Sequence, residues 1–358
     1  MPILRTPVTL EELVPPPPIK SGWPWTEQSQ PQPERMSDGS EWPRISIVTP
    51  SYNQGQFIEE TIRSVLLQGY PNLEYIIIDG GSSDNTIEII KKYEEHFSSW
   101  VSESDKGPTD AINKGWQRAS GEIIAYLNSD DAYLPGALAA VAEAFQQYPE
   151  AKAICGNELK INSEGLVITE SKIKNIDRLS LLNLNFIPQP ATFLKKSTLT
   201  LTGGIDLKIK YTFDFELWLR VTRLGEIKCI SHRLAVTRWH NDTITLTRRS
   251  EIGRELVRII TKEMLVDSSA FTPNERQKIL VKVNLLAMNL NLENQKTIYS
   301  VKYVFAALWF SHNFSSRLKV IKQYYRSLRR YYNYHKKHPS LVPAISEPIH
   351  WSFFCKEK

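Results

Sequence analysis

Short apolar runs alternate along the chain with segments in which apolar residues recur at helical spacing. The apolar runs are rich in β-branched residues, have the length of buried strands, and cover residues 45–50, 73–81, 100–101 and 122–127. The helical spacing recurs over residues 56–67, 87–93, 111–119 and 135–147. This alternation predicts an α/β fold with a Rossmann-like, mostly parallel sheet flanked by helices on both faces.

The strand–helix alternation weakens after residue 151, and the pattern becomes helical from residue 251. Short strands are predicted at 153–155, 159–161, 166–169, 191–194 and 234–238, and a helix at 213–224. The N-terminal segment holds a run of four prolines and three tryptophans, but too few apolar residues for a core of its own. We therefore predict a proline-rich extended arm over 1–43, an α/β domain over 44–248 and a helical, basic extension over 249–358.

The composition is that of a globular protein, with 23% charged and 41% hydrophobic residues in 358 positions. Cys155, Cys229 and Cys355 are widely spaced and form no CxxC pair, so neither a zinc site nor a disulfide framework is indicated. The first residues carry acids and prolines instead of the apolar core of a signal peptide, and no run reaches the roughly 20 apolar residues of a membrane span. We expect a cytoplasmic protein.

Polar clusters close three of the predicted strands, at residues 50–53, 79–81 and 128–131. In sheets of this kind ligands bind at the carboxyl ends of the strands, so the three clusters should face one crevice. Plainer explanations stay open, because Asn, Ser and Asp also favour turns. The pair Asp130 and Asp131 indicates either a turn or a metal site. Asp79 either opens a simple turn or accepts a hydrogen bond from a nucleobase or ribose.

The order of the strand-end motifs resembles the family 2 glycosyltransferases with the GT-A fold. The motifs are TPSYN, IIIDGGSSDNT, SESDKGPTDAINKG and GEIIAYLNSDD, and the resemblance continues through FDFELWLR to about residue 245. It implies a sugar–nucleotide donor, most often a UDP-sugar, and transfer with inversion in the presence of a divalent metal, Mg²⁺ or Mn²⁺. Two nucleotide-binding motifs are missing after the first strand, GxGxxG and GxxxxGK[ST], which disfavours dehydrogenases and P-loop enzymes.

The resemblance also implies which residues bind the donor and the metal. Asp130 matches the metal-binding aspartate, and His240 is either a further metal or phosphate contact or a structural histidine. Asn128 departs from the family pattern, in which many members have aspartate. Lys114 either meets phosphate or is an ordinary helix-surface lysine. The residues implied on the nucleotide-sugar side are Pro50, Ser51, Tyr52, Asn53, Asp79, Asp105, Asn113, Lys114, Asn128, Ser129 and Asp131.

On the acceptor side, the resemblance implies that Asp214 is the general base that removes the proton of the acceptor hydroxyl. An ordinary pKa of about 4 would keep it ionised at neutral pH. Asp214 and Glu216 are alternatively acids favoured at a helix N-terminus. Trp218 either faces the acceptor or packs in the core. Gln189 matches a polar position near the acceptor.

The C-terminal extension is basic, since no Asp or Glu occurs between Glu293 and Glu347 while lysines and arginines recur from Lys296 to Lys337. Aromatic and apolar residues lie beside them at helical spacing. This pattern favours either contact with an anionic membrane surface, which would bring a glycan or lipid-linked acceptor to the enzyme, or a solvated helical cap. It carries no nucleic-acid-binding motif. The rival functions are a catalytically silent nucleotide-sugar-binding module and a nucleotidyltransferase.

Overall fold

The computed structural model describes residues 6–174, 176–267, 270–293, 297–311 and 314–337. Cys355 and Lys296, which the sequence analysis singled out, lie outside these residues, as do residues 338–358 of the predicted extension.

The described strands form one nine-stranded sheet in the order β3-β2-β1-β4-β8-β6-β9-β5, with β7 paired to β6. Strands β1 to β4 are parallel neighbours, as predicted from their apolar runs, and β6 is parallel to β9. Strands β5, β7 and β8 pair in the antiparallel direction, so the sheet is mixed but mostly parallel. The bounds are β1 Ile45–Ser51, β2 Leu73–Asp79, β3 Ser99–Ser102, β4 Ile123–Tyr126, β5 Ala132–Tyr133, β6 Ala153–Asn162, β7 Val167–Ser171, β8 Thr192–Lys195 and β9 Ile227–Trp239.

Helices cover both faces of the sheet, and the chain after β9 is helical in the described residues. The bounds are α1 Ile58–Leu66, α2 Thr86–Lys92, α3 Pro108–Arg118, α4 Ala137–Gln147, α5 Arg178–Leu182, α6 Lys196–Thr202, α7 Phe213–Leu224, α8 Ile244–Thr247, α9 Arg249–Val266, α10 Pro273–Glu293, α11 Thr297–Trp309 and α12 Phe314–Lys337. None of the described helices is both long enough and apolar enough to cross a bilayer.

Each face of the sheet has its own apolar core, because side chains of successive strand residues point to opposite faces. Ile45 and Ile47 pack in the first core with α1 and α4, while Val48 and Ile76 pack in the second core with α3 and α7.

The N-terminal arm contributes to the first core. Trp23 is buried there, and its indole donates to the carbonyl of Tyr133 at 2.9 Å. Trp25 is buried as well, with its ring 5.4 Å from the guanidinium of Arg63. The buried guanidinium of Arg63, on α1, donates to the carbonyls of Val14, Pro24 and Trp25 at 2.9–3.0 Å. The arm is therefore fixed to α1 by backbone carbonyls as well as by its tryptophans.

Two elements are longer than the sequence predicts. The separate strands expected at 153–155 and 159–161 are one strand, β6, which continues through the buried polar residues Asn157 and Glu158. The late strand predicted at 234–238 is the end of β9, which begins at Ile227 and is exposed at Ser231 and His232. Both strands contain polar residues, so their full length could not be recognised from apolar runs in the sequence.

Candidate active site

The carboxyl ends of β1, β2 and β4 lie side by side because the three strands are parallel neighbours. Ser51 at the end of β1 is in register with Asp79 at the end of β2, and the chain leaves β4 at Leu127 to enter the loop of Asn128 and Asp130. The sheet topology therefore brings the three predicted polar clusters to one edge.

Asp130 and His240 meet at this edge from distant parts of the chain. The Oδ2 atom of Asp130 lies 3.0 Å from Nε2 of His240. His240 is buried, its backbone N–H donates to the hydroxyl of Thr243, and its ring lies 4.9 Å from the ring of Phe57. The imidazole is thus held in place by contacts that leave Nε2 directed at the partly exposed carboxylate.

A carboxylate oxygen beside an imidazole nitrogen is a donor set that suits a divalent cation. No group of three or more His, Cys, Asp or Glu side chains positioned to hold a metal occurs in the described part of the chain. Mg²⁺ is commonly held by one or two protein ligands with phosphate oxygens and water completing its shell. Asp130 and His240 fit such an ion as a partial site that a diphosphate would complete.

Asp131 faces the protein interior and braces the loop. Its Oδ1 accepts the backbone N–H of Arg238 at 2.9 Å, and its Oδ2 accepts Nδ2 of Asn128 at 3.2 Å. Burial raises the pKa of the Asp131 carboxyl, the neighbouring Asp130 raises it further, and the amide of Arg238 opposes both. Nδ2 of Asn128 also donates to Gln189, whose own amide donates to the carbonyl of Tyr126 at 2.8 Å.

Arg238 is a site residue that the sequence analysis did not select. Its Nε donates to the carbonyl of Asp130 at 3.1 Å, and its Nη2 donates to Oε1 of Glu60 at 2.7 Å. Both side chains are nearly buried, and the guanidinium also lies 4.9 Å from the ring centre of Phe57. The sequence offered one indication that Arg238 belongs to the site, which is its position two residues before His240. Arg238 therefore fixes the backbone of the Asp130 loop.

The predicted donor side comprises the turns after β1 and β2. Asp79 is fully buried, and its carboxylate accepts from the N–H groups of Gly81 and Ser82 and from the hydroxyls of Ser82 and Ser102. These four hydrogen bonds shape the turn, in line with the plainer explanation, so a contact from Asp79 to a base stays a prediction.

The turn after β1 presents different groups. Pro50 is buried in β1, whereas 62% of Tyr52 is exposed. Asn53 adopts a left-handed backbone with φ of 51°, and its side chain accepts the N–H of Ser83 at 2.8 Å. The buried hydroxyl of Ser51 has no hydrogen-bond partner among the described residues. An orphan hydroxyl at the strand-end edge is available to a ligand.

Three residues predicted to face the nucleotide are engaged with the protein. Asp105 Oδ1 accepts the N–H of Gly107 at 2.7 Å. The amide of Asn113 both donates to and accepts from the backbone of Ile205, at 2.9 and 3.0 Å. Lys114 lies 2.9 Å from a carboxylate oxygen of Glu103. Asn113 thus links α3 to the segment before α7 by two hydrogen bonds. Lys114 forms a surface ion pair, in line with the alternative of an ordinary helix-surface lysine.

Asp214 stands in the first turn of α7, where its Oδ1 accepts the N–H of Phe215 at 2.8 Å. Burial raises its pKa to about 6, and this hydrogen bond only partly opposes the rise. The ordinary pKa expected from the sequence is therefore wrong, because a sequence does not show how far a carboxyl is desolvated. Burial raises the pKa of Tyr126, and the charges of Asp214 and Asp131 raise it further, so these three groups are near one another.

The other acceptor-side predictions have different outcomes. Glu216 forms an ion pair with Arg220 one turn along α7, with a closest distance of 2.7 Å. Trp218 is buried in the second core, which corrects its assignment to the acceptor side and agrees with the alternative of core packing. Phe186, which the sequence analysis did not select, is 50% exposed, and its ring lies 5.7 Å from that of Phe215, the residue after Asp214.

Comparisons with known proteins bear on the family of the chain. Residues 46–201 match the profile of Glycosyl transferase family 2. The chain is 31% identical over 193 residues to an uncharacterized glycosyltransferase of Mycobacterium tuberculosis strain H37Rv, covering 52% of this chain and 73% of that protein. It is 32% identical over 175 residues to the poly-beta-1,6-N-acetyl-D-glucosamine synthase of Staphylococcus epidermidis, covering 45% of this chain and 42% of the synthase.

Solved structures resemble the fold at low sequence identity. Residues 1–349 of S. aureus TarS, in complex with UDP-GlcNAc, align with a TM-score of 0.58 and 16% identity, covering 82% of this chain and 92% of that one. The mannosyltransferase PcManGT from Pyrobaculum calidifontis, in complex with GDP-Man and Mn²⁺, aligns with a TM-score of 0.52 and 16% identity, covering 82% and 83%. The GT-A type α/β fold is therefore confirmed.

Proposed function

The chain belongs to glycosyltransferase family 2, and from that premise we propose a metal-dependent enzyme that transfers a sugar, with inversion, from a nucleotide-sugar to a hydroxyl group. The observation that carries this proposal is the meeting of Asp130 and His240 at the edge where β1, β2 and β4 end. A donor that occupies this edge would place its diphosphate beside the carboxylate of Asp130 and the imidazole of His240.

Asp130 and His240 are the residues that would hold Mg²⁺ or Mn²⁺. When bound, such an ion would offset the negative charge that develops on the nucleoside diphosphate as it leaves. Arg238 supports this role by fixing the carbonyl of Asp130, and Asp131 supports it by fixing the loop from the interior.

Asp214 is the proposed general base. Its carboxylate takes the proton of the acceptor hydroxyl as that oxygen attacks the sugar from the face opposite the diphosphate, which inverts the configuration. A pKa of about 6 suits this role better than an ordinary one, because a base is most effective when its pKa lies near the working pH. Phe186 offers an exposed ring beside α7 on which an acceptor sugar could stack.

The donor is proposed to be a UDP-sugar, as the family resemblance implies, and the acceptor a glycan or lipid-linked glycan in polysaccharide synthesis. The poly-beta-1,6-N-acetyl-D-glucosamine synthase to which the chain is similar supports the polysaccharide role by its name alone. A cytoplasmic enzyme that reaches a lipid-linked acceptor would act at the inner face of the membrane, and the acid-free, basic segment after Glu293 supports that location.

The proposal is tested by thermal unfolding of the full chain with UDP-sugars and GDP-sugars, each with Mn²⁺ and with chelator. A donor that binds only the folded state at 100 times its Kd stabilises it by about 2.7 kcal/mol. We expect one donor to raise Tm only with the metal, and Asp130→Ala to abolish that rise. Asp206→Ala, which alters an exposed carboxylate, is the matched control and should keep it. A metal-independent rise that survives in Asp130→Ala would contradict the metal assignment.

A further inference from the structure

A pocket lies among α9, α10 and α11, in the part of the chain that follows the family match. Its larger lobe has a volume of about 610 Å³ and its smaller lobe about 470 Å³. The two lobes share Arg254, Lys302 and Tyr303 in their walls. The candidate active site contributes no residue to either lobe, so the pocket is a separate feature.

The walls of this pocket are positively charged. Arg254, Arg258 and Lys262 are four residues apart on α9, which places them on one face of the helix, and Lys302 faces them from α11. All four side chains are exposed. Among the residues that the structure describes, none of the four has a carboxylate partner, and the one contact of Lys302 is with the ring of Tyr303 at 4.8 Å.

Two acidic residues of α9, Glu255 and Glu263, do not compensate this charge, because their carboxylates bind groups outside the pocket. Glu255 accepts the backbone N–H groups of residues 210–212 at 2.9–3.1 Å. Glu263 forms ion pairs with Arg178 and Arg223, and Asp267 pairs with Arg178. α9 therefore directs these two carboxylates toward the α/β domain, while three of its cations line the pocket.

Exposed apolar side chains lie beside the cations. Leu265 lines the pocket and is 76% exposed, and its neighbour Val266 is 64% exposed. On α11, Phe305 is 67% exposed and Trp309 is 83% exposed. Both continue the helix face of Lys302, at three and seven residues beyond it. Large exposed side chains of this kind next to cations are typical of surfaces that enter the boundary between headgroups and acyl chains.

We propose that this pocket binds the phosphate of an anionic lipid headgroup, while Leu265, Val266, Phe305 and Trp309 enter the adjoining apolar layer of the bilayer. Unpaired guanidinium and ammonium groups suit a phosphate, and the apolar side chains suit a ligand that is part of a membrane. The inference goes beyond the proposed transfer reaction and does not depend on it. It assigns the membrane contact to α9 and α11, and α9 precedes the acid-free segment that the sequence singles out.

The charged part is tested by co-sedimentation of the full chain with vesicles of phosphatidylglycerol and, separately, of phosphatidylcholine. The variant Arg254→Gln/Arg258→Gln/Lys262→Gln should lose about 100-fold in partitioning onto phosphatidylglycerol, from the contribution of three basic residues near an anionic surface. Wild type should bind phosphatidylcholine far more weakly than phosphatidylglycerol.

The matched control removes the same charge elsewhere, from exposed residues of α2 and α3, in Lys91→Gln/Lys92→Gln/Arg118→Gln. This control should keep most of the vesicle binding. Equal losses in the two triple variants would overturn the pocket in favour of a net-charge effect. Thermal unfolding and hydrolysis of a soluble donor should be unchanged in the pocket variant. Because donor hydrolysis and vesicle binding are measured separately, a failure of the membrane contact can be distinguished from a failure of the proposed transfer.

The role of the exposed apolar side chains and the source of the phosphate are tested in separate experiments. Phe305→Ser/Trp309→Ser should weaken the binding that remains at high salt, whereas Ile19→Ser/Leu201→Ser, which alters equally exposed apolar residues, should not. Inorganic phosphate and glycerol 3-phosphate at millimolar concentration should compete only weakly with vesicles. A pocket that is saturated by either soluble probe while vesicles fail to bind would be a site for a free phosphate, and the proposal would be wrong.

Discussion

Replacing Asp214 by asparagine should make the protein slower and more stable at the same time. Burial raises the pKa of this carboxyl from 3.8 to about 6, so the folded state disfavours its charged form. The difference corresponds to about 3 kcal/mol at most, at about 1.4 kcal/mol per pH unit. Asparagine has nearly the same shape, can still accept the N–H of Phe215, and carries no charge that must be desolvated.

The pH dependence of this gain has a defined sign. Between pH 3.8 and about 6 the folded state binds more protons at Asp214 than the unfolded state does. The stability that the protonated carboxyl contributes is therefore lost as the pH rises through about 6. We expect Asp214→Asn to exceed the wild type by up to about 3 kcal/mol in free energy of unfolding at pH 8, and by roughly half as much at pH 5.

Activity should change in the opposite direction. A general base contributes about 10²- to 10⁴-fold, so single-turnover transfer by Asp214→Asn should fall by that factor while donor binding stays near wild type. In the wild type, transfer should decline below pH 6 as the carboxyl becomes protonated. Urea unfolding at the two pH values and rapid-quench transfer measure the two effects on the same samples. A variant that transfers at the wild-type rate, or that loses stability at pH 8, would refute this reasoning.

The remaining predictions concern the metal site, its support and the extension. Asp130→Ala should abolish metal-dependent binding of a nucleoside diphosphate while the circular dichroism spectrum is kept; full turnover in chelator would contradict it. Glu216→Gln should change transfer far less than the change at the base, because its carboxylate is engaged within α7. Arg238→Gln should destabilise the fold by about 3 kcal/mol, since it removes the closer cation partner of the buried Glu60 and leaves only Lys20 at 3.9 Å, and adding Glu60→Gln should restore part of the loss in urea unfolding. Removing residues 315–358 should weaken binding to anionic vesicles and spare hydrolysis of a soluble donor; unchanged vesicle binding would exclude this segment.

Much of the fold was predictable because its central strands are apolar throughout. Every residue of β1, β2 and β4 is buried, so the runs were visible in the sequence, and the carboxyl end of β4 located Asp130. β6 was divided in the prediction because the buried polar residues Asn157 and Glu158 occur inside it, and β9 was cut short because its first half includes the exposed polar residues Ser231 and His232. Apolar periodicity cannot detect a buried polar residue whose partner comes from another strand.

The support of the site was less predictable than its reactive groups. Asp130 and Asp214 occur within recognisable motifs, whereas Arg238 and Glu60 are 178 residues apart and neither belongs to one. Likewise, a single sequence could not reveal that Asn113 is hydrogen-bonded to the backbone of Ile205, or that Asp79 accepts hydrogen bonds from residues 81, 82 and 102. These pairings depend on the tertiary fold, in which a lone polar residue finds a specific partner.

The N-terminal arm determines where this protein can be shortened for laboratory work. The family match begins at residue 46, which invites an expression boundary just before it. Such a cut would remove Trp23 from the first core, remove the buried Trp25, and deprive the buried guanidinium of Arg63 of three carbonyl acceptors. It would also remove Lys20, which lies 3.9 Å from the carboxylate of Glu60, the ion-pair partner of Arg238. A catalytic domain trimmed to the family boundary would thus be expected to misfold or aggregate, so mutational work on the site should retain the first 43 residues.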